Sequence, residues 1–194
     1  MMRHRRGYPR RFLTLVLVTA VSASALSAQG RIKQHGRAIV QYTSNEVSAV
    51  ASYEYAQRNH DTAWLLIEFA VQATQRIAIH RSQLTLLGPD ERAYPIATQP
   101  QFLEDQQTLT GLLQNARMWR RPLDPYFASR PVVRTIRFFS APGAVIHDSV
   151  ATNLDEVAAG DLFFKSPDGK WNAGTYRLVL NHEKAKAELP ITLQ

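Results

Sequence analysis

The strongest constraint on the fold of this chain is the period-two pattern of residues 63–71. Residues of one parity form an apolar face: Ala63, Leu65, Ile67, Phe69 and Val71. Trp64 and Leu66, which have the other parity, are apolar as well. Successive side chains of a strand point to opposite faces of a sheet. A strand that is apolar on both faces is buried on both, so the pattern predicts a strand in the middle of a sheet.

Turn signals separate this strand from others with the same period. The predicted strands are residues 38–42, 47–55, 63–71, 77–79, 84–86, 92–96, 132–139, 144–151, 162–165, 175–182 and 187–193. Ile77 and Ile79 are odd-numbered, whereas Leu84 and Leu86 are even-numbered. Because a regular strand cannot change the face of its apolar side chains, we expect a bulge or bend at residues 81–83.

Residues 100–118 change from period two to helical spacing. The apolar stripe consists of Phe102, Leu103, Leu109, Leu112, Leu113 and Ala116. Pro100 suits the first turn of a helix, and Pro122 stops one. The pattern therefore predicts one amphipathic helix over residues 100–118, laid against a sheet.

Short strands with turn signals at this spacing indicate an antiparallel sandwich or barrel. The segment Gly174-Thr175-Tyr176-Arg177-Leu178 resembles the closing strands of immunoglobulin-like domains, in which the tyrosine forms a corner. The whole chain resembles uncharacterised exported proteins of Gram-negative bacteria, which imply no activity. The expected fold is mainly β: an antiparallel immunoglobulin-like β-sandwich with one inserted amphipathic helix. The chain departs from antibody domains because it has no cysteine pair.

Residues 1–28 have the three parts of a secretory signal peptide. The basic part contains Arg3, Arg5, Arg6, Arg10 and Arg11. An apolar stretch of about ten residues follows, half of the roughly 20 that a membrane-spanning helix needs. Small residues end the segment, and we expect cleavage after Ala28 or Ala25. The alternative is an uncleaved membrane anchor, and the adjacent Arg10 and Arg11 hint at a twin-arginine signal.

The whole chain is expected to have three parts, of which cleavage removes the first. These are a signal peptide (1–28), a flexible lead-in (29–37) and a single β-sandwich domain (38–194). The mature protein is then expected to be periplasmic or extracellular and to have no transmembrane segment.

The net charge belongs mostly to the signal peptide. The chain has 23 Lys and Arg against 16 Asp and Glu, a formal net charge of +7. Without the five arginines of the signal peptide, 18 basic residues face 16 acidic ones, a net charge of +2. A nucleic-acid partner, which a strongly basic chain suggests, thereby loses its main support.

No motif predicts catalytic, cofactor-binding or metal-binding residues. The chain has no cysteine, which excludes disulfides, thiolate metal sites and a cysteine nucleophile. The histidines after residue 28 lack the short spacings of metal-ligating pairs: His35, His60, His80, His147 and His182. A nucleophile elbow, a phosphate-binding loop and a dinucleotide fingerprint are absent from the sequence.

An arginine-rich segment is the candidate binding site. Six arginines lie between residues 117 and 137, and Asp124 is the one acidic residue among them. The residues predicted to bind a partner or an anion are Arg117, Trp119, Arg120, Arg121, Tyr126, Phe127 and Arg130. Arginine pairs with carboxylates and phosphates and stacks on aromatic rings. In the alternative, these arginines serve the helix end and pair with acidic residues such as Glu156 and Asp161.

Three functions fit these features. The first is a non-enzymatic binding or structural module of the bacterial cell envelope, with an envelope protein or an anionic envelope component as partner. The second is a small-ligand carrier, with a pocket between helix and sheet lined by Leu109, Leu113 and Trp64. The third is a hydrolase whose active site assembles only in space.

Overall fold

Twelve strands and two α-helices form in residues 30–128, 131–140 and 145–194, the parts of the chain that the computed structural model describes. The strands are β1 (Arg31–His35), β2 (Ile39–Thr43), β3 (Val47–Ser52), β4 (Trp64–Ala73), β5 (Ile77–His80), β6 (Leu84–Leu87), β7 (Ala93–Pro95), β8 (Val132–Thr135), β9 (Ser149–Thr152), β10 (Glu156–Lys165), β11 (Gly174–His182) and β12 (Ala185–Leu193). The helices are α1 (Gln99–Glu104) and α2 (Gln106–Ala116). The described chain is therefore mainly β-structure, as the sequence predicts. The predicted signal peptide lies outside the described residues.

Two larger sheets carry the fold. The first has the order β1-β2-β3-β4-β10-β8, the second has the order β12-β11-β6-β7, and β5 pairs with β9 in a third. All strand pairs are antiparallel except β8 with β10, which is parallel. Strand β4 lies between β3 and β10, which confirms the central position predicted from its alternation.

The main core lies between the two larger sheets. Leu65 and Ile67 of β4 belong to one buried cluster with Leu178 of β11 and Leu189 of β12. These residues have the parity that the period-two patterns assign to the inner faces. The arrangement is consistent with a β-sandwich, because each large sheet buries one face against the other.

The change of parity between β5 and β6 is explained by the bend that the sequence predicts. A short 3₁₀ turn of residues Arg81–Gln83 joins the two strands. Gln83 Oε1 accepts a hydrogen bond from the backbone N–H of His80 at 2.9 Å, which holds the turn together. Ile79 before the turn and Leu84 after it are both buried, so the bend brings both parities to the core.

Residues 29–37, expected as a flexible lead-in, contain strand β1. It pairs antiparallel with β2, and Gly36 occupies the turn between them with a φ of 67°. That left-handed backbone conformation favours glycine. Four of the five β1 residues are exposed, and the strand is held at the sheet edge by its backbone pairing with β2. Because β1 is polar throughout most of its length, its sequence lacks the alternation of apolar and polar residues that predicts a strand.

The single helix predicted over residues 100–118 is two helices that meet at Asp105. The backbone of Asp105 departs from helical geometry, with φ −105° and ψ 21°. Its Oδ2 accepts hydrogen bonds from Trp64 Nε1 at 2.9 Å and from Lys165 Nζ at 2.8 Å. The bond from Lys165, followed by the bond from Trp64, lowers the pKa of Asp105. The break thus coincides with contacts from Asp105 to two distant strands. The second helix ends at Ala116, two residues before the predicted end.

Tyr176 makes the corner contact that the immunoglobulin-like resemblance implies. Its hydroxyl donates to the carbonyl oxygen of Asn172 at 3.0 Å. Its ring lies edge-on to Trp171, with 5.6 Å between the ring centroids. Burial raises the pKa of the Tyr176 hydroxyl. The contact ties the start of β11 to the loop before it.

Replacing Tyr176 by phenylalanine tests the corner. The substitution keeps the ring but removes the donor to Asn172, so we expect the free energy of unfolding to fall by about 1 kcal/mol. Urea denaturation of the purified protein measures it. Tyr94→Phe is the matched control, because Tyr94 also packs on Trp171 but its hydroxyl makes no hydrogen bond to the described residues. Equal losses in the two variants would contradict a specific role for the Tyr176 hydroxyl.

Candidate functional site

The outer face of β4 carries an apolar patch at each end and a charge between them. Trp64 and Leu66 pack under the helices, in a cluster with Phe102 and Leu109. Ala70 packs with Leu123 at the other end. Glu68 lies between these patches on the same face, because residues of equal parity share a face. The space over Glu68 is open.

That space is a pocket of about 580 Å³ between the segment after α2 and strands β4, β10 and β8. Three phenylalanine rings form part of its wall, with neighbouring centroids 5.1–5.5 Å apart: Phe102, Phe139 and Phe163. Its charged lining residues are Glu68, Arg120, Arg121, Asp124 and Asp161. A concave site with apolar walls and a few charged groups is the usual form of a small-molecule site.

Glu68 and Asp161 lie directly opposite each other on β4 and β10. Two like charges in such a cross-strand pair destabilise a sheet. Arg120 compensates for them: its Nη2 lies 2.5 Å from Asp161 Oδ2, and its Nε lies 3.4 Å from Glu68 Oε1. One guanidinium from the segment after α2 therefore bridges two central strands.

Glu68 holds its proton far more tightly than an ordinary glutamate. Burial raises its pKa from 4.5 to about 7, against the opposing effect of Arg120 and with smaller contributions from Asp161 and Glu54. Its side chain is only 16% exposed. Near neutral pH, Glu68 therefore exists in both protonation states. A buried carboxyl with such a pKa in a cleft is a marker of functional sites.

Two further contacts hold the segment after α2 against the body of the protein. Arg121 Nε lies 3.2 Å from Glu54 Oε2. The guanidinium of Arg58 lies over the ring of Trp119, 4.3 Å from its centroid. Trp119, Arg120 and Arg121, which are consecutive, are therefore each held by a contact to the body of the protein.

The seven residues of the predicted binding site do not form one surface in the structure. Arg120 and Arg121 reach the pocket, whereas Arg117 caps the end of α2. Phe127 is buried in a cluster with Leu123, and Tyr126 packs on His35 at 4.7 Å. Arg130 lies outside the described residues. Pairing with acidic residues, the alternative interpretation, is observed for Arg120 with Asp161 and for Arg134 with Glu156. A binding role for the set stays a prediction.

The pocket is displaced from the one expected between helix and sheet. Leu109 of α2 and Trp64 of β4 are buried in one cluster, and only Leu113 of the expected lining borders the pocket. Glu68 and Glu54 were not among the predicted site residues. The sequence held a signal for Glu68, because it is the one charged residue in the otherwise apolar run 63–71.

No protein-family model, curated protein or solved structure matches this chain. Within residues 30–128, 131–140 and 145–194, no three His, Asp or Glu side chains cluster closely enough to hold a metal ion. No helix in that part of the chain is long and apolar enough to cross a membrane.

The raised pKa of Glu68 makes stability depend on pH. The protonated carboxyl is favoured in the folded state, so its contribution is full below about pH 4.5 and is lost as pH rises through about 7. Glu68→Gln removes this loss. We therefore expect the stability of the variant, relative to the unsubstituted protein, to rise by about 1–3 kcal/mol between pH 5 and pH 8.

Urea denaturation at both pH values measures this difference. Glu183→Gln is the matched control, because Glu183 is exposed in a turn outside the pocket. If Glu68→Gln and the unsubstituted protein lose stability in parallel between pH 5 and pH 8, the burial of Glu68 does not control its proton affinity.

Proposed function

We propose that this chain is an exported, non-enzymatic binding module of the bacterial cell envelope, and that its pocket holds a small ligand with an apolar body and a cationic head. The observation that carries the proposal is Glu68, a carboxyl whose pKa of about 7 reflects burial that Arg120 only partly offsets. A cation placed beside Glu68 would supply the missing compensation.

The apolar body is supported by the size and walls of the pocket. A volume of about 580 Å³ falls within the range of roughly 300–1,000 Å³ that is common for small-molecule sites. Phe102, Phe139 and Phe163 supply aromatic surface on one side, and Leu113 and Leu123 supply aliphatic surface. Burial of an apolar group against these side chains would provide most of the affinity.

The cationic head is supported by the balance of charge. Glu68, Asp124 and Asp161 line the pocket against Arg120 and Arg121, so the acidic groups are in excess. Both arginines already form ion pairs with carboxylates. An anionic ligand would have to break those pairs, whereas a cationic one would leave them intact and would add to the partial compensation that Arg120 gives Glu68.

A hydrolase is the second candidate, because Glu68 and Asp161 place two carboxyls on one wall of a cleft. A protonated acid beside an ionised one is the arrangement that acid–base catalysis uses. Arg120 counts against this function, since it lies within 3.4 Å of both carboxyl groups and already pairs with them. Binding is therefore the function that the geometry favours.

Export and an immunoglobulin-like fold are parts of the same proposal. The basic, apolar and small-residue parts of residues 1–28 support export. The contact between Tyr176 and Asn172 supports kinship with immunoglobulin-like sandwiches. The antiparallel pairing within the four-stranded sheet is also compatible with that fold.

Expression in a Gram-negative host tests the export step. We expect the protein to be recovered from the periplasmic fraction, with Gln29 as its first residue after cleavage at Ala28, or Leu26 after cleavage at Ala25. Intact-mass measurement identifies the new N-terminus. A full-length chain retained in the inner membrane would instead support the uncleaved anchor.

A fluorescent amine tests the pocket. Dansylcadaverine carries an aromatic body and a primary amine, and we expect its fluorescence to rise on binding at pH 8. Binding should weaken at pH 6, because Glu68 is then largely protonated. We expect Glu68→Gln to weaken binding by about tenfold at pH 8, equal to about 1.4 kcal/mol. Ala159→Trp, which fills the pocket wall, should abolish binding.

Matched variants control for changes elsewhere. Glu183→Gln changes the same side chain outside the pocket, and Ala78→Trp adds the same ring at an exposed strand position. Neither should alter the affinity. If a dansyl probe with a carboxylate tail binds more tightly than the amine, the ligand is not cationic and the proposal fails.

A further inference from the structure

Strand β8 ends the six-stranded sheet, and no strand among the described residues pairs with its outer edge. All four of its residues are exposed. Val132 is 61% exposed and Val133 is 51% exposed, which is unusual for valines of a sheet. An edge with free backbone groups is a template on which another strand can pair.

The hydrogen bonds of β8 show which of its backbone groups face outward. The N–H of Val132 donates to Asp155 O at 2.8 Å, and the N–H of Ile136 donates to Ala159 O at 2.7 Å. In a parallel ladder the groups of alternate residues point to the same side. The N–H and C=O groups of Val133 and Thr135 therefore point away from β10. Beyond them, Arg137 O accepts from His147 N at 2.9 Å, which ends the open stretch.

A groove of about 560 Å³ separates β8 from β9, and its charge is positive. Its charged lining residues are Arg76, Arg134, Arg137 and Glu156, and His147 lies beside them. Three arginines against one glutamate leave a net charge of +2 with His147 neutral. Arg134 pairs with Glu156, whereas Arg76 and Arg137 form no ion pair with the described residues.

We propose that β8 is the docking site for an extended acidic segment of another protein, which adds to the sheet as a seventh strand. Val133 and Thr135 supply the backbone hydrogen bonds, and Arg76 and Arg137 pair with the acidic side chains. The exposed valines contact the apolar side chains of the added strand. Val133 and Thr135 also border the pocket, but Arg76 and Arg137 are not part of its lining.

Charge disfavours the two other occupants that this chain could provide. Residues 1–28 carry five arginines and no acidic residue, so the groove repels them. A second copy pairing through β8 would bring Arg134 and Arg137 of the two chains together, and like charges across a strand pair are destabilising. An acidic segment from a different protein is the occupant that the groove complements.

A labelled peptide tests the proposal directly. The probe is fluorescein-Gly-Glu-Val-Thr-Glu-Val-Glu-Gly, and its sign control has lysine in place of each glutamate. We expect the acidic peptide to bind with an affinity that falls as salt rises, and the lysine peptide not to bind. Amide hydrogen exchange should slow at Val133 and Thr135 on binding, because these N–H groups become bonded. Equal binding of both peptides would overturn the proposal.

Backbone and charge variants separate the two parts of the interaction. Thr135→Pro removes an outward N–H without removing a bond to β10, and Thr135→Ala keeps that N–H as the matched control. We expect the proline to weaken peptide binding by about tenfold and the alanine to leave it nearly unchanged. The Arg76→Glu, Arg137→Glu double variant should also abolish binding, whereas Lys186→Glu, on the distant strand β12, should not.

Two outcomes would assign the edge differently. Unchanged affinity in Thr135→Pro would show that the peptide binds by charge alone and not as a strand. Protection of the Val133 and Thr135 amides that grows with protein concentration in the absence of peptide would identify a second copy as the occupant. Glu68→Gln should leave peptide binding intact, so failure of the pocket proposal does not affect this test.

Discussion

The cross-strand pair of Glu68 and Asp161 is the interaction that determines how the helices and the segment after α2 cover the outer face of β4 and β10. Strand β4 is buried on both faces, and a carboxylate in such a strand needs a partner that its own sheet does not provide. Arg120 supplies it from a segment 52 residues further along the chain. The segment after α2 must therefore return to the sheet, and the pocket forms because it crosses above Glu68 rather than packing onto it.

Helix α2 is tied to the same two strands at both of its ends. At the N-terminal end, Asp105 bonds to Trp64 and Lys165, which are directly opposite on β4 and β10. Beyond the C-terminal end, Arg120 bonds to the opposite pair of Glu68 and Asp161. The two pairs lie four residues apart on β4, so they share its outer face. Helix placement thus rests on polar contacts as much as on the apolar stripe.

Local sequence patterns predicted the secondary-structure elements whose side chains pack in the core. They failed where contacts between residues distant in sequence determine the structure. The alternation of β4 and the bend at residues 81–83 follow from neighbours in sequence, whereas the contact of Tyr176 is what the immunoglobulin-like resemblance implies. The helix break at Asp105 depends on Trp64 and Lys165, whose proximity no local pattern shows. Strand β1 has polar side chains and forms because β2 offers backbone partners. The observed pocket shares only Leu113 with the lining expected from the sequence, and Arg120 and Arg121 of the segment after α2 form one of its walls.

Three groups of basic residues in the chain differ in the consequence of their charge. Residues 1–28 carry five of its seven units of net charge. Within the described residues, Arg120 and Arg121 are neutralised by carboxylates, so the pocket that they line keeps an excess of acidic groups. Arg76 and Arg137 have no such partners, which makes the groove beside β8 positive. Val133 and Thr135 line both cavities. One short strand therefore separates two surfaces of opposite charge, which cannot favour the same class of ligand.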